Sequence, residues 1–222
     1  MGVGRRDDPY TGPVAGADRR TPQPGNRQAF GARVVLIPVK AFGEAKRRLG
    51  PALDAAARSA LARAMADRVL AAAAPLPVAV VCDDGEVAEW ARHRGALVIW
   101  EPGRGLNGAV EAGVDHLRSG GVGQVTVAHA DLPRADDLAS VGLAPGVTLV
   151  PDRFGNGTNV IVVPTGAGFR FSYGPGSFAR HRVEADRTGL PVRVLHRPDL
   201  AWDIDEPADV VPVTASPAPT RP

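Results

Sequence analysis

Apolar residues along this chain fall into two repeating patterns that alternate from about residue 34 to residue 195. Short continuous runs rich in valine, isoleucine and leucine read as buried strands, and longer segments with apolar positions at three- and four-residue spacing read as helices. The run Val34-Val35-Leu36-Ile37-Pro38-Val39 predicts a first strand, and residues 54–73 predict an alanine-rich helix. In that helix the stripe Leu61, Met65 and Val69 should face the sheet. Residues 78–82 predict a second strand, and Asp84 caps a helix running to about Arg94. Residues 96–100 form a third strand, and a glycine-rich loop over 102–108 opens a helix reaching Arg118. Residues 124–128 predict the central strand. Residues 147–150 and 159–163 predict two more, 177–187 a helix closed by Gly189, and 191–195 a last strand. Alternating β and α elements predict an α/β fold: one single-domain, three-layer α/β/α Rossmann-like unit with a mostly parallel sheet.

The ends depart from this pattern. Residues 1–31 are rich in Gly, Pro, Arg and Asp and show no apolar period, which predicts a disordered arm. The domain then spans 32–211, and 212–222 read as a short tail of proline and small residues. The whole chain has 222 residues, of which 44% are hydrophobic, enough for one substantial core. A formal net charge of +2 with no basic block gives no reason to expect a nucleic-acid partner. No apolar run approaches the roughly 20 residues of a membrane span. The single cysteine, Cys82, excludes an intrachain disulfide and suits a reducing compartment. With no signal-peptide pattern at the N-terminus, the expected location is the cytoplasm. The Ala, Arg, Gly and Pro bias is that of a high-GC genome.

The candidate chemistry sits at strand ends. The central strand closes on His129-Ala130-Asp131-Leu132-Pro133, so that Asp131 stands where open α/β sheets bind ligands. A second acidic cluster, Asp203-Ile204-Asp205-Glu206, lies near the C-terminus, and two carboxylates brought together there could hold a hard metal ion against phosphate oxygens. The loop after the first strand carries Lys40, Lys46, Arg47 and Arg48, cations suited to phosphate oxygens, although it lacks the P-loop pattern. A solvated basic turn is the plain alternative. Asn107, in Gly105-Leu106-Asn107-Gly108, could bond a base or ribose while capping the next helix, or serve only as the cap. The turn Gly155-Asn156-Gly157-Thr158 could cup an anion or be a simple hairpin. Ser177, after Gly174-Pro175-Gly176, is a good N-cap in front of amides that attract anions. His129 reads as structural, since no nucleophile is spaced for a triad, and Cys82 reads as a small core residue.

These motifs, in this order, resemble the 2-phospho-L-lactate and phosphoenolpyruvate guanylyltransferases, which make a guanylylated intermediate of the deazaflavin coenzyme F-420. They lie within the larger molybdenum-cofactor-guanylyltransferase-like group. The resemblance covers about residues 33–211, and its first loop has lysines where the larger group carries glycines. It implies transfer of GMP from GTP to the phosphate of phosphoenolpyruvate, with release of pyrophosphate. The same chemistry on 2-phospho-L-lactate or 3-phosphoglycerate is the alternative, and the high-GC composition favours phosphoenolpyruvate. It further implies Mg2+ held by Asp131 and by Asp203 in preference to Asp205. It places the phosphorylated acid on Thr158, Gly174 and Ser177, and the triphosphate on Lys40, Lys46 and Arg48. Asp131 and Lys46 are then the expected catalytic residues. Another nucleotidyltransferase of the same fold, or a nucleotide-binding protein without turnover, are the competing readings.

Overall fold

The structure, a computed structural model, describes residues 32–209. The expected arm at 1–31 and the tail from 212 lie outside the described residues. Seven strands form one sheet in the order β3-β2-β1-β4-β6-β5-β7. They are β1 Arg33–Pro38, β2 Val78–Cys82, β3 Leu97–Trp100, β4 Gln124–Ala128, β5 Val147–Pro151, β6 Thr158–Pro164 and β7 Val192–Val194. Four helices accompany them: α1 Ala55–Ala72, α2 Gly85–His93, α3 Gly105–Ser119 and α4 Ser177–Arg187. β1 pairs in parallel with β2 and β4, whereas β6 runs antiparallel to both β4 and β5. The expected mostly parallel sheet is thus present, with β6 reversed.

Each central strand is apolar on both faces because both faces are covered. In β1, Val35 and Ile37 point into one core with Ala66 and Val69 of α1 and Trp90 of α2. Val34 and Leu36 point into the opposite core with Val110 and Leu117 of α3 and Ala185 of α4. This two-residue alternation across a pleated strand is what makes three layers from a continuous apolar run. The α1 stripe is rotated from the expected one. Ala62, Ala66 and Val69 face the sheet, while Met65 and Leu61 turn to a small separate cluster with Leu49 and Ile204. Alanines on the sheet-facing side let α1 approach closely, so the larger side chains serve the helix edge.

The element that positions the site is the chain reversal at β1. After β1 the chain moves outward through β2 and β3, then returns to the other flank of β1 as β4. The connections that leave the carboxyl ends of β1 and β4 therefore run in opposite directions, a topological switch point where ligands of such sheets bind. Among the described residues no helix is long and apolar enough to cross a membrane.

Helix α3 lies close over β1 because of a glycine: a Cβ on Gly113 would meet Leu36 Cδ2 at 2.9 Å. Leu36 is fully buried and has little room to yield. Gly113→Val should therefore destabilise the fold by roughly 1–3 kcal/mol through overpacking. A melting temperature lower than wild type by several degrees checks this, and an unchanged melt would show that α3 can shift freely.

Candidate active site

Three distant parts of the chain meet at the switch point through one side chain. Lys46 Nζ lies 2.6 Å from Asp131 Oδ2 and 2.8 Å from Asp205 Oδ1. Lys46 belongs to the loop after β1, Asp131 to the end of β4, and Asp205 to the C-terminal segment. Lys46 takes a left-handed backbone (φ 55°, ψ 38°) between two short 3-10 turns, Phe42–Glu44 and Arg47–Leu49. Such a conformation costs a non-glycine residue on the order of 1 kcal/mol, and here it aims the ammonium inward. Buried Phe42 and Leu49 pin the loop on either side.

The electrostatics follow from this contact. Burial alone would lower the pKa of Lys46, but Asp131 and then Asp205 outweigh it and hold the ammonium above its ordinary 10.5. Burial alone would raise Asp131, and the Lys46 ammonium and after it His129 together outweigh it and hold the carboxyl below its ordinary 3.8. Asp203 goes the other way: burial, then the like charge of Asp131, push its carboxyl up. Asp131 keeps one buried oxygen, Oδ1, without a hydrogen-bond partner.

Lys46, Asp131 and Asp205 line a cavity of about 580 Å³, and Asp203 is not among its lining residues. Its wall carries Lys40, Lys46, Arg47 and Arg48 together with His129, Asp131, Tyr173, Gly174 and Asp205. Thr158 and Ser177 are not on that wall; they are 1% and 2% exposed. They connect to it through Gly174, whose carbonyl accepts from the Ser177 amide at 3.0 Å. Thr158 N donates to Ser177 Oγ at 3.1 Å, and Thr158 Oγ1 lies 3.0 Å from Nδ1 of His181. Gly174 holds φ at +120°, a region open to glycine alone, which turns the chain from Tyr173 into α4.

The sequence model of the family described as "Guanylyl transferase CofC like" matches residues 33–215. The chain belongs to this CofC-like guanylyl transferase family. It is 38% identical over 186 residues to the phosphoenolpyruvate guanylyltransferase of Sphaerobacter thermophilus, covering 80% of this chain and 90% of that protein. It is also 38% identical over 190 residues to the protein of that name in Rubrobacter xylanophilus, covering 82% and 93%. Among solved structures it is similar to one from Desulfovibrio desulfuricans G20, given a provisional description as a nucleotide-diphospho-sugar transferase. The TM-score is 0.65, with 18% identity over 79% of this chain and 83% of the other, a likeness of fold alone.

Within this CofC-like chain, the structure gathers Lys40, Lys46, Arg48, Asp131 and Gly174 on one cavity, corrects two capping readings and settles the turn before β6 as a hairpin. Asn107 does not cap α3. The helix begins two residues earlier, at Gly105, after Arg104, and Asn107 Oδ1 instead accepts from the Tyr173 amide at 2.7 Å. Ser177 is not the N-cap of α4: Gly176 is, in a left-handed conformation, and the Ser177 hydroxyl faces Thr158. The turn at 152–157 is a hairpin between β5 and β6, and its amides do not cup an external anion. Those of Phe154, Asn156 and Gly157 already donate to the Asp152 carboxylate. As expected, Cys82 is a buried core residue, its thiol pushed up by burial. His129 is also tied into the sheet, its amide donating to Asn159 O. Its Nε2, however, is buried on the cavity side without a partner.

Arg153 is a residue that motif reading misses. Its Nη1 donates to the Asp203 carbonyl at 2.7 Å and reaches Asp203 Oδ1 at 3.4 Å, and its Nη2 pairs with Asp209. Its guanidinium also stacks 4.3 Å from the Trp202 ring centre, with that of Arg134 4.4 Å from the same ring. Arg153 thereby fastens the C-terminal acidic segment beside β5 and β6. Only its position directly after Asp152 in the hairpin hints at this, and nothing in the sequence names its partners.

The Lys46–Asp131 pair has a definite pH window. The depressed Asp131 carboxyl contributes stability above pH 3.8, lost as pH falls through its folded value. The raised Lys46 contributes below pH 10.5, lost as pH rises through its folded value. Asp131→Asn should cost about 1–3 kcal/mol of unfolding free energy at pH 7, the range for a charge-assisted hydrogen bond in a shielded site. The gap should close in acid, well below pH 3.8. Denaturant unfolding of both proteins at pH 7 and at about pH 2 measures it; equal stability at pH 7 would mean the pair contributes nothing.

Proposed function

We propose that the chain transfers GMP from GTP to the phosphate of phosphoenolpyruvate, giving enolpyruvoyl-2-diphospho-5'-guanosine and pyrophosphate in the biosynthesis of coenzyme F-420. Family membership and the shared name of the relatives support the reaction class and the acceptor. The observation that carries the reading at the site is the Lys46 ammonium between Asp131 and Asp205 at the switch point. In the proposed reaction an oxygen of the acid's phosphate forms a bond to the α-phosphorus of GTP. The bond from that phosphorus to the bridging oxygen breaks, and pyrophosphate carries away the electron pair. The attacking oxygen is already anionic, so no general base is required. The protein's work is alignment and charge compensation.

Lys40, Lys46 and Arg48 face the triphosphate, with Arg47 on the same wall. Thr158, Gly174 and Ser177 hold the phosphorylated acid across the cavity. Asn107, expected on the nucleotide, instead fixes the Tyr173 backbone next to Gly174. The acidic set fits a divalent cation such as Mg2+. Asp131 Oδ1 is buried without a partner, Asp203 is destabilised by the nearby Asp131 charge, and Lys46 supplies a positive charge between Asp131 and Asp205. Asp131 and Asp203 would hold the metal, with Asp205 released by Lys46 as a further oxygen ligand. A divalent cation held there would supply positive charge against the phosphate oxygens. Among the described residues no group of three or more such ligands is already gathered, as expected where an ammonium separates two of the carboxylates.

The deciding experiment incubates the full chain with GTP, Mg2+ and equal phosphoenolpyruvate, 2-phospho-L-lactate and 3-phosphoglycerate, and reads the product by mass. The enolpyruvoyl product should dominate; a lactyl or glyceryl product, or none, would overturn the acceptor. Lys46→Ala should raise the KM for GTP by roughly 10- to 150-fold, equivalent to about 1.5–3 kcal/mol, and change that for the acid little. A rise confined to the acid would reverse the two subsites. Asp131→Asn should lose turnover, because an amide lacks the anionic oxygen that magnesium prefers. Pyrophosphate release near wild type would remove Asp131 from the mechanism.

A further inference from the structure

We propose that His181 is a positioning residue for the phosphorylated acid. Its imidazole, fixed in one tautomer, occupies the acceptor side of the Thr158 hydroxyl and leaves that hydroxyl's proton for the ligand. This rests on the reading of Thr158 and Ser177 as the acid's subsite.

His181 is fully buried on α4, one turn after Ser177. Its two ring nitrogens have different partners. Nε2 lies 2.9 Å from the Ser172 amide nitrogen, and a backbone amide only donates, so Nε2 must carry the lone pair. The ring proton then sits on Nδ1 and is donated to Thr158 Oγ1 at 3.0 Å. A second ring proton would set N–H against N–H at Ser172. Burial, and after it the neighbouring Arg180, push the imidazole down to about pKa 4, so the ring stays neutral at physiological pH. The rings of Phe169 and Tyr173, at 5.8 and 4.9 Å, fix its plane.

The consequence is chemical. A hydroxyl has one proton to give. Thr158 Oγ1 receives the His181 N–H, and Ser177 Oγ receives the Thr158 amide N–H. Each hydroxyl therefore keeps its own proton, and neither gives it to any acceptor among the described residues. Two buried O–H donors side by side, one hydrogen bond from Gly174 on the cavity wall, favour a ligand that only accepts. A carboxylate or a phosphate is such a ligand. Were His181 in the other tautomer, Thr158 would donate to Nδ1 and the pair would present one donor fewer.

The test uses the full chain in two measurements. Nitrogen-15 NMR of the His181 imidazole at pH 7 reads the tautomer directly, with no ligand required. Calorimetric titration with phosphoenolpyruvate and, separately, with GTP compares wild type, His181→Phe and His181→Asn. Expected are a proton on Nδ1, a loss of about tenfold in phosphoenolpyruvate affinity in His181→Phe with GTP affinity within about twofold, and substantial recovery in His181→Asn, whose amide can replace the Nδ1 donor. A proton on Nε2 would overturn the proposal. So would unchanged acid affinity in His181→Phe, or equal losses for both ligands in both variants. If His181→Phe does not fold, His181→Asn and the tautomer carry the test. An Nδ1 proton in a wild-type chain that binds no phosphorylated acid would sink the subsite reading while leaving the tautomer argument standing.

Discussion

The site depends on keeping several carboxylates at the end of one sheet without their driving one another apart. Unpaired, Asp131, Asp203 and Asp205 would repel across a shielded space. The Lys46 ammonium resolves this for two of them, and Arg153 restrains the third. The partners of Lys46 are 85 and 159 residues away in sequence, so one side chain ties the first loop, the central strand and the C-terminal segment together. The left-handed backbone at Lys46 is the local strain accepted for that geometry.

The sheet supplies the other half of the constraint. Because β4 returns to the flank of β1 opposite β2, the loops that follow the two strands run apart and leave room for a ligand. The reversed β6 then matters. It brings Thr158, at its start, and α4, which follows its far end, back to the side where β4 finishes. The cations of the first loop and the carboxylates thus share one cavity with Gly174, and the Thr158 and Ser177 hydroxyls lie buried behind Gly174. In the proposed reaction, which joins two anions, mobile ammonium and guanidinium groups would hold one and neutral donors the other, adding no counter-charge to the acid.

Much of this was legible in the residues. The β-α alternation gave the layers, because strands covered on both faces must be continuously apolar. Asp131 was visible as a carboxylate closing such a strand, and the lysine-rich loop as its neighbour at the switch point. The capping readings at Asn107 and Ser177 failed for a shared reason, which also left open what the turn at 155–157 would bind. Each residue type is a good cap or turn former, and capping propensity does not say which amide is in reach once the chain folds. Asn107 found the Tyr173 amide, Ser177 that of Thr158, and the turn amides found Asp152. Arg153 and His181 were invisible because their roles lie wholly in tertiary partners, and His181 at helical spacing from Ser177 looks like any residue on a packed face. In the α1 stripe Val69 faces the sheet as expected, but Leu61 and Met65 do not, because alanines occupy the sheet-facing positions there, where bulk would hold the helix away.

The most direct measurement of the central claim is a crystal structure of the full chain with Mg2+, phosphoenolpyruvate and a GTP analogue carrying a methylene between its α- and β-phosphorus atoms. The account predicts the Lys46 ammonium withdrawn from Asp205 and within hydrogen-bonding reach of a nucleotide phosphate oxygen. It also predicts acid oxygens at roughly 2.7–3.0 Å from the Thr158 and Ser177 hydroxyls, and the acid's phosphate in line with the α-phosphorus. A triphosphate lying against Gly174 and α4, with the acid on the loop after β1, would contradict it.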